Sequence, residues 1–456
     1  MWRSRSTCQR RLPLATSSCC GSCARRDSMA PSSRSFVDDC ANTSHRTKTE
    51  ARRGADWAVL PPSPLGRLLV LVWFAIGLAP AAAWAEEPVR IGVVLPLSGE
   101  HAALGEAVTS GLEWATDQLS TPVEWVVRDS EGSDSVAAEA VRELCEDPTI
   151  AAIIGPVGVS EAKAAAEQAE ALEMPILTLT SAEGIENIGD HVFRLRLSPE
   201  SQSRALAVFA VNALQRKRLA VFYPDDDYGR ACMRAFVDAA NAAGADVTTI
   251  EAYDPDDSKP DTEAELLSGK KMRKLTTNTS TKKAAESSIQ KRRKPSIDFD
   301  LLFIPDKAPH VVRSLAFLQL SGVPLGYGGS VQLLGTSAWA SGDLGGSDGL
   351  AAGAFVSRLF DAEVSDAVLT RVQRFVDRFE RRPTELEAQT HDGILLLGEA
   401  LEVCKPASRG CVTQQLRSGG SVEGITGEVG LTSSGGLSRS IFIFDVDEQG
   451  GLWPAY

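Results

Sequence analysis

Four hydroxyl groups stand at the ends of short apolar runs: Ser98 after Val89–Leu95, Ser160 after Ala151–Ile154, and Thr180 and Ser181 at the end of Ile176–Leu179. Such hydroxyls, with the backbone N–H groups around them, hold a carboxylate or a sugar hydroxyl without bringing a charge. Helices beginning after these turns would add positive N-terminal dipoles. Taken singly, each hydroxyl also reads as a helix N-cap that binds nothing; taken together they favour a site. Asp227 and Tyr228 follow a later run, Leu219–Phe222, and Asp306 follows Phe299–Ile304. These would face the first set, although Asp306 also reads as a cap for the helix behind it.

Residues arranged for covalent chemistry are missing from the sequence. It contains no nucleophile elbow, Walker loop or HExxH, so we expect neither an enzyme nor a cofactor. Gly326-Tyr327-Gly328-Gly329 precedes a strand and opens no helix, which argues against a phosphate cradle. The histidines His45, His101, His191, His310 and His391 are scattered. Glu385 and Glu387 near His391 and Asp392 have the spacing of a metal site, but also that of an exposed helix start, which we favour. No cysteine–histidine spacing fits zinc. Cys404 and Cys411 can close a small loop in an oxidising compartment, or remain two unpaired thiols.

The elements that must position these groups repeat. Val89–Leu95 reads as a buried strand, and residues 102–119 carry Leu104, Val108, Leu112 and Leu119 at helical spacing. Strand and helix alternate through Leu179, and again from Leu219 to Leu334. Alternation of this kind implies parallel strands covered on both faces. Two successive runs imply two α/β lobes, each with a doubly wound Rossmann-like sheet that presents ligands at the carboxyl ends of its strands. The pattern fails between Asp254 and Asp298. Residues 270–294 hold ten Lys and Arg against one acid, and we read 256–296 as an exposed, flexible basic insertion.

The chain has 456 residues and a net charge of −13. Residues 1–62 carry 11 basic against 5 acidic side chains, whereas from Glu86 onward there are 35 against 55. So acidic a body is a poor partner for nucleic acid. Arg67, the apolar run Leu68–Ala83 and then Ala83-Trp84-Ala85 follow the order of an export signal. We therefore expect a signal peptide at 63–85, preceded by a disordered extension over 1–62, and a periplasmic location with no stable membrane span in the mature chain. No cysteine stands at the cleavage point to carry a lipid.

Five strings, in order, resemble the type I periplasmic binding proteins, typified by branched-chain amino acid binding proteins: VRIGVVLPLSG at Val89–Gly99, AIIGPVGVS at Ala152–Ser160, PILTLTSA at Pro175–Ala182, LAVFYPDDDYGR at Leu219–Arg230 and GITGEVGLTSSGGL at Gly424–Leu437. The resemblance covers about 88–456. It implies a three-segment hinge, with lobe one formed by 88–203 and 336–426 and lobe two by 204–335 and 427–456. It also implies that Ala182 lines the site with the hydroxyls, and that the ligand is an amino acid or a relative of one, handed to an ABC permease. Two departures stand out. Glu183 occupies the place of a Thr that grips ammonium, and Pro309-His310 replaces an acid. FDLLFIPD at Phe299–Asp306 and QLLGTSAW at Gln332–Trp339 resemble another branch, the penicillin-binding-protein activators, whose partner is a cell-wall synthase.

Overall fold

The computed structural model describes residues 87–273, 289–291 and 294–455. The stretch 1–62 and the expected leader at 63–85 lie outside the described residues.

The first lobe opens with β1 (Val89–Leu95), α1 (Ala102–Thr116), β2 (Val123–Asp129), α2 (Asp134–Glu146), β3 (Ile150–Ile154), α3 (Val159–Ala171), β4 (Ile176–Thr178) and β5 (Val192–Arg194). The strands form one parallel sheet in the order β2-β1-β3-β4-β5. Alternation along β1 divides the core. Ile91, Val93 and Leu95 pack with Val108 and Leu112 of α1, while Val94 packs with Val141, Leu144 and Ala165 on the other face.

The chain then crosses over. Ser198 accepts the Ser201 N–H at 3.0 Å and Pro199 stands in the first turn, which fixes the start of α4 (Pro199–Asn212). The second lobe continues with β6 (Arg218–Pro224), α5 (Asp227–Ala242), β7 (Asp246–Tyr253), α6 (Asp261–Leu267), β8 (Lys271–Arg273), β9 (Ile289–Lys291), β10 (Leu301–Ile304), α7 (Ala308–Leu320), β11 (Gln332–Gly335) and β12 (Phe355–Arg358). Its parallel part runs β7-β6-β10-β11-β12, the same winding as the first sheet. Leu219, Val221, Leu301 and Phe303 face Leu206 and Phe236; Ala220, Phe222, Leu302 and Ile304 face Val311 and Leu315.

The chain returns through α8 (Asp366–Phe379), α9 (Glu385–Val403) and α10 (Arg409–Arg417). A small antiparallel sheet follows, made of β13 (Ser421–Gly424), β14 (Gly427–Leu431) and β15 (Leu437–Arg439). Ile394 and Leu397 of α9, Val412 of α10, and Val429 and Leu437 all join the first core. Finally β16 (Phe442–Val446) and β17 (Leu452–Pro454) add antiparallel strands beside β12. Cys404 and Cys411 are joined by a disulfide that ties the end of α9 to α10.

The crossings thus fall at Leu195–Ser198, Leu359–Asp361 and Arg439–Ile441. The sequence reading put them at 203/204, 335/336 and 426/427. It placed the second too early because β12 still pairs with β11 and β16, and the third too early because β14 and β15 pack on the first lobe. The insertion also differs from its reading. Ala264 and Leu267 of α6 are buried in the second core, and β8 pairs with β9. Lys271 forms an ion pair with Glu265 at 2.7 Å and Lys270 donates to the Leu320 carbonyl, so these basic groups dock on their own lobe. Residues 274–288 and 292–293 lie outside the described residues.

Candidate functional site

Both sheets reverse their winding beside their first strand, between β1 and β3 and between β6 and β10. At such a switch point, two loops diverge and leave a crevice at the carboxyl ends. The crossings leave β5 and β12 from those same ends, so the two crevices border the hinge.

The sequence-predicted residues divide under this geometry. The side chains of Ser160, exposed in the first turn of α3, and Ser181, half-buried after β4, make no hydrogen bond to another described residue. They stand on the loops of neighbouring strands, since Ile154 pairs with Leu177. Thr180 is fully buried and accepts the Ala182 N–H at 3.3 Å, so this pair braces the turn. Ser98 is exposed but holds Asp129. Burial pushes the Asp129 carboxyl up, yet the N–H of Glu131, the Ser98 hydroxyl and the N–H groups of Leu97 and Ser98 outweigh this and keep it below the usual range.

On the second lobe, Asp227 is exposed and pairs with Arg230 at 2.9 Å; its neighbour Asp226 caps α5 through the Gly229 N–H. The Tyr228 hydroxyl lies 3.0 Å from Thr336 Oγ1, and burial raises its pKa. Asp306 is buried. It accepts from the Tyr253 hydroxyl at 2.5 Å and the Lys307 N–H at 2.7 Å, with His310 Nδ1 at 3.1 Å. It serves as a brace for the turn after β10.

Among other groups at the hinge, Arg196 and Arg439 were not singled out from the sequence, whereas Glu183 was read as a departure from the family pattern and Glu385 as part of a helix start. Glu183 accepts from Ser198 and, at 2.6 Å, from Arg204 of α4. It therefore joins the β4 turn of the first lobe to the second. Burial would raise the Glu183 carboxyl, but these partners hold it below the ordinary range. Arg196 in the first crossing reaches Gln389 at 3.3 Å. Arg439 in the third donates to the carbonyls of Leu359 and Thr426, and burial lowers its pKa to about 10. Glu385 lies among these cations, and burial still raises its pKa. Long-range convergence of this kind has no local sequence pattern.

The group Glu385, Glu387, His391 and Asp392 is indeed a helix start, with Thr384 and Glu387 forming a capping box, but Glu387, His391 and Asp392 are buried and Glu385 is half-buried rather than exposed. Glu387 pairs with Arg381. The His391 ring lies tilted against Trp114, with centroids 4.5 Å apart, and Asp392 accepts the N–H groups of Ile425 and Thr426. Among the described residues no cluster of His, Cys, Asp and Glu could hold a metal ion. The strings Phe299–Asp306 and Gln332–Trp339 fold as β10 and β11 with their end turns, mostly buried. They report core strands and carry no exposed partner surface.

Comparison with known proteins agrees with this architecture. The sequence profile of the family described as periplasmic binding protein matches residues 88–285. A Leu/Ile/Val-binding protein homolog from Brucella melitensis is 28% identical over 206 residues, which are 42% of this chain and 54% of that protein; the match thus spans about half the relative's length. Among solved structures, a putative branched-chain amino acid ABC transporter protein from Rhodospirillum rubrum superposes with a TM-score of 0.68 at 17% identity, covering 81% of this chain and all of the other (100%). An ABC transporter substrate-binding protein from Desulfitobacterium hafniense in complex with Leu gives 0.59 at 22% identity, with 81% and 100% covered. At these identities the likeness is one of fold.

Proposed function

We propose, from a fold like that of the type I periplasmic binding proteins and a periplasmic binding protein profile that matches residues 88–285, that this protein is exported and captures a small polar ligand between its lobes. The ligand is an amino acid or a related acid, and the loaded protein delivers it to the permease of an ABC importer. The observation that carries this reading is the pair of free hydroxyls, Ser160 and Ser181, on adjacent strand-end turns at the first switch point. Beside them the first turn of α3 directs backbone N–H groups toward the crevice edge, which suits a carboxylate. The relatives named above, one of them holding Leu, support the ligand class. The export order of Arg67, Leu68–Ala83 and Ala83-Trp84-Ala85 supports the location. Among the described residues, no helix is long and apolar enough to cross a membrane.

A thermal-shift screen against amino acids, their amides and small organic acids tests the reading. A ligand that binds the folded state raises the melting temperature by mass action. We expect a rise with at least one acid of this class; no response to any would remove the transport reading.

A further inference from the structure

We propose that a cavity at the amino ends of the second sheet binds a small aromatic hydroxy acid, at a place separate from the crevice between the lobes. The cavity measures about 270 Å³, and its walls include Arg216, Tyr327, Gly328, Phe355 and Asp445. Arg216 lies just before β6, the loop 326–330 lies just before β11, and Phe355 opens β12. The carboxyl ends of these parallel strands border the hinge, so the cavity stands at the opposite edge of the sheet.

Gly326-Tyr327-Gly328-Gly329, a string that opens no helix, forms one wall. The Gly329 N–H donates to the Gly326 carbonyl at 3.0 Å and closes a turn. Gly326 and Gly328 take φ values of +74° and +83°, which glycine adopts without strain. The turn lays the Tyr327 ring over Gly353, where an added Cβ would come within 3.4 Å of it. Tyr327 remains 60% exposed, so much of its ring is open. Phe355 and Asp445 stand directly opposite each other on β12 and β16. Their side chains therefore share one face of the sheet.

The charges in this cavity are uncommitted. Arg216 and Asp445 form no ion pair with each other or with any other described residue, and Arg216 Nε has no hydrogen-bond partner among the described residues. Burial, with the charge of Asp447 behind it, pushes the Asp445 carboxyl up against the pull of the Val446 N–H. A donor brought to Asp445 would relieve that burial. The terminal nitrogens of a guanidinium match a planar carboxylate. An aromatic ring stacks on an open tyrosine ring. A molecule with a carboxylate for Arg216, a ring for Tyr327 and a hydroxyl for Asp445 uses all three features. The volume is that of a small ligand site, with room for one ring and its substituents.

Calorimetry with 4-hydroxybenzoate, 3-hydroxybenzoate and 4-hydroxyphenylacetate tests the assignment. Titrations of the wild type and of the Ser160→Ala/Ser181→Ala protein separate this cavity from the crevice. We expect at least one of the three acids to bind, and the serine variant to retain that affinity within about twofold, since the sites are remote. Arg216→Gln should weaken the binding by about ten- to a hundredfold, the range for a hydrogen bond to a charged group. Tyr327→Ala, which changes an exposed ring and leaves the core intact, should weaken it by about two- to tenfold. Failure of all three acids to bind would overturn the assignment, as would unchanged affinity in both Arg216→Gln and Tyr327→Ala. Loss of binding in the serine variant alone would also overturn it, by placing the acid in the crevice, and the binding role proposed above would then stand.

Discussion

Ser160 and Ser181 differ from the other candidate hydroxyls because no described residue bonds to their side chains. Replacing both with Ala should weaken ligand binding by about 1–3 kcal/mol in calorimetry and leave the urea midpoint nearly unchanged. Caps without a ligand role would give the reverse. The buried pair Glu186–Arg194, at 2.9 Å and 8% and 3% exposed, belongs to the same scale. Burial raises the Glu186 carboxyl, but the hydrogen bonds and charge of Arg194 prevail and hold it below the ordinary range. Its stabilising effect is therefore fully present above the ordinary carboxylate pKa and is lost as pH falls through the lowered folded value. Glu186→Gln should cost about 3 kcal/mol at neutral pH, and its urea midpoint should fall less on acidification than that of the wild type. The hydroxyls were legible in the sequence because each ends an apolar run. Which of them remain free was not, because the partners of Thr180 and Ser98 are set by turn geometry.

At the scale of elements, periodicity served well where both faces of a strand are buried. Val89–Leu95, Leu301–Ile304 and Gln332–Gly335 all appear as parallel strands. It served poorly for α6, whose seven residues are too few to show a period and lie beside a basic stretch. The crossings were misplaced because β12, β14 and β15 carry no mark of which lobe they join; only pairing and packing decide it. The Cys404–Cys411 bridge was one of two open readings, and the structure closes it between α9 and α10. With so short a loop, replacing both cysteines with Ser should lower stability by about 2.5 kcal/mol from loop-closure entropy. Urea denaturation measures this, and an unchanged midpoint would mean that the two helices are held by packing alone.

For the whole molecule, the alternation of strand and helix in two runs was sufficient to foresee two α/β lobes. The common winding of the sheets and the three adjoining crossings account for how such a chain can close. Arg439 in the third crossing bonds to the Leu359 carbonyl of the second, which holds these two crossings side by side, as a hinge between the lobes would require. The Glu183–Arg204 ion pair joins the two lobes at that hinge. Closure around a ligand is the central claim, and small-angle X-ray scattering addresses it most directly. On saturation with an acid that raises the melting temperature, the radius of gyration should decrease, and the Ser160→Ala/Ser181→Ala protein should show no such change at the same concentration. An unaltered radius in the wild type under proven saturation would contradict the account.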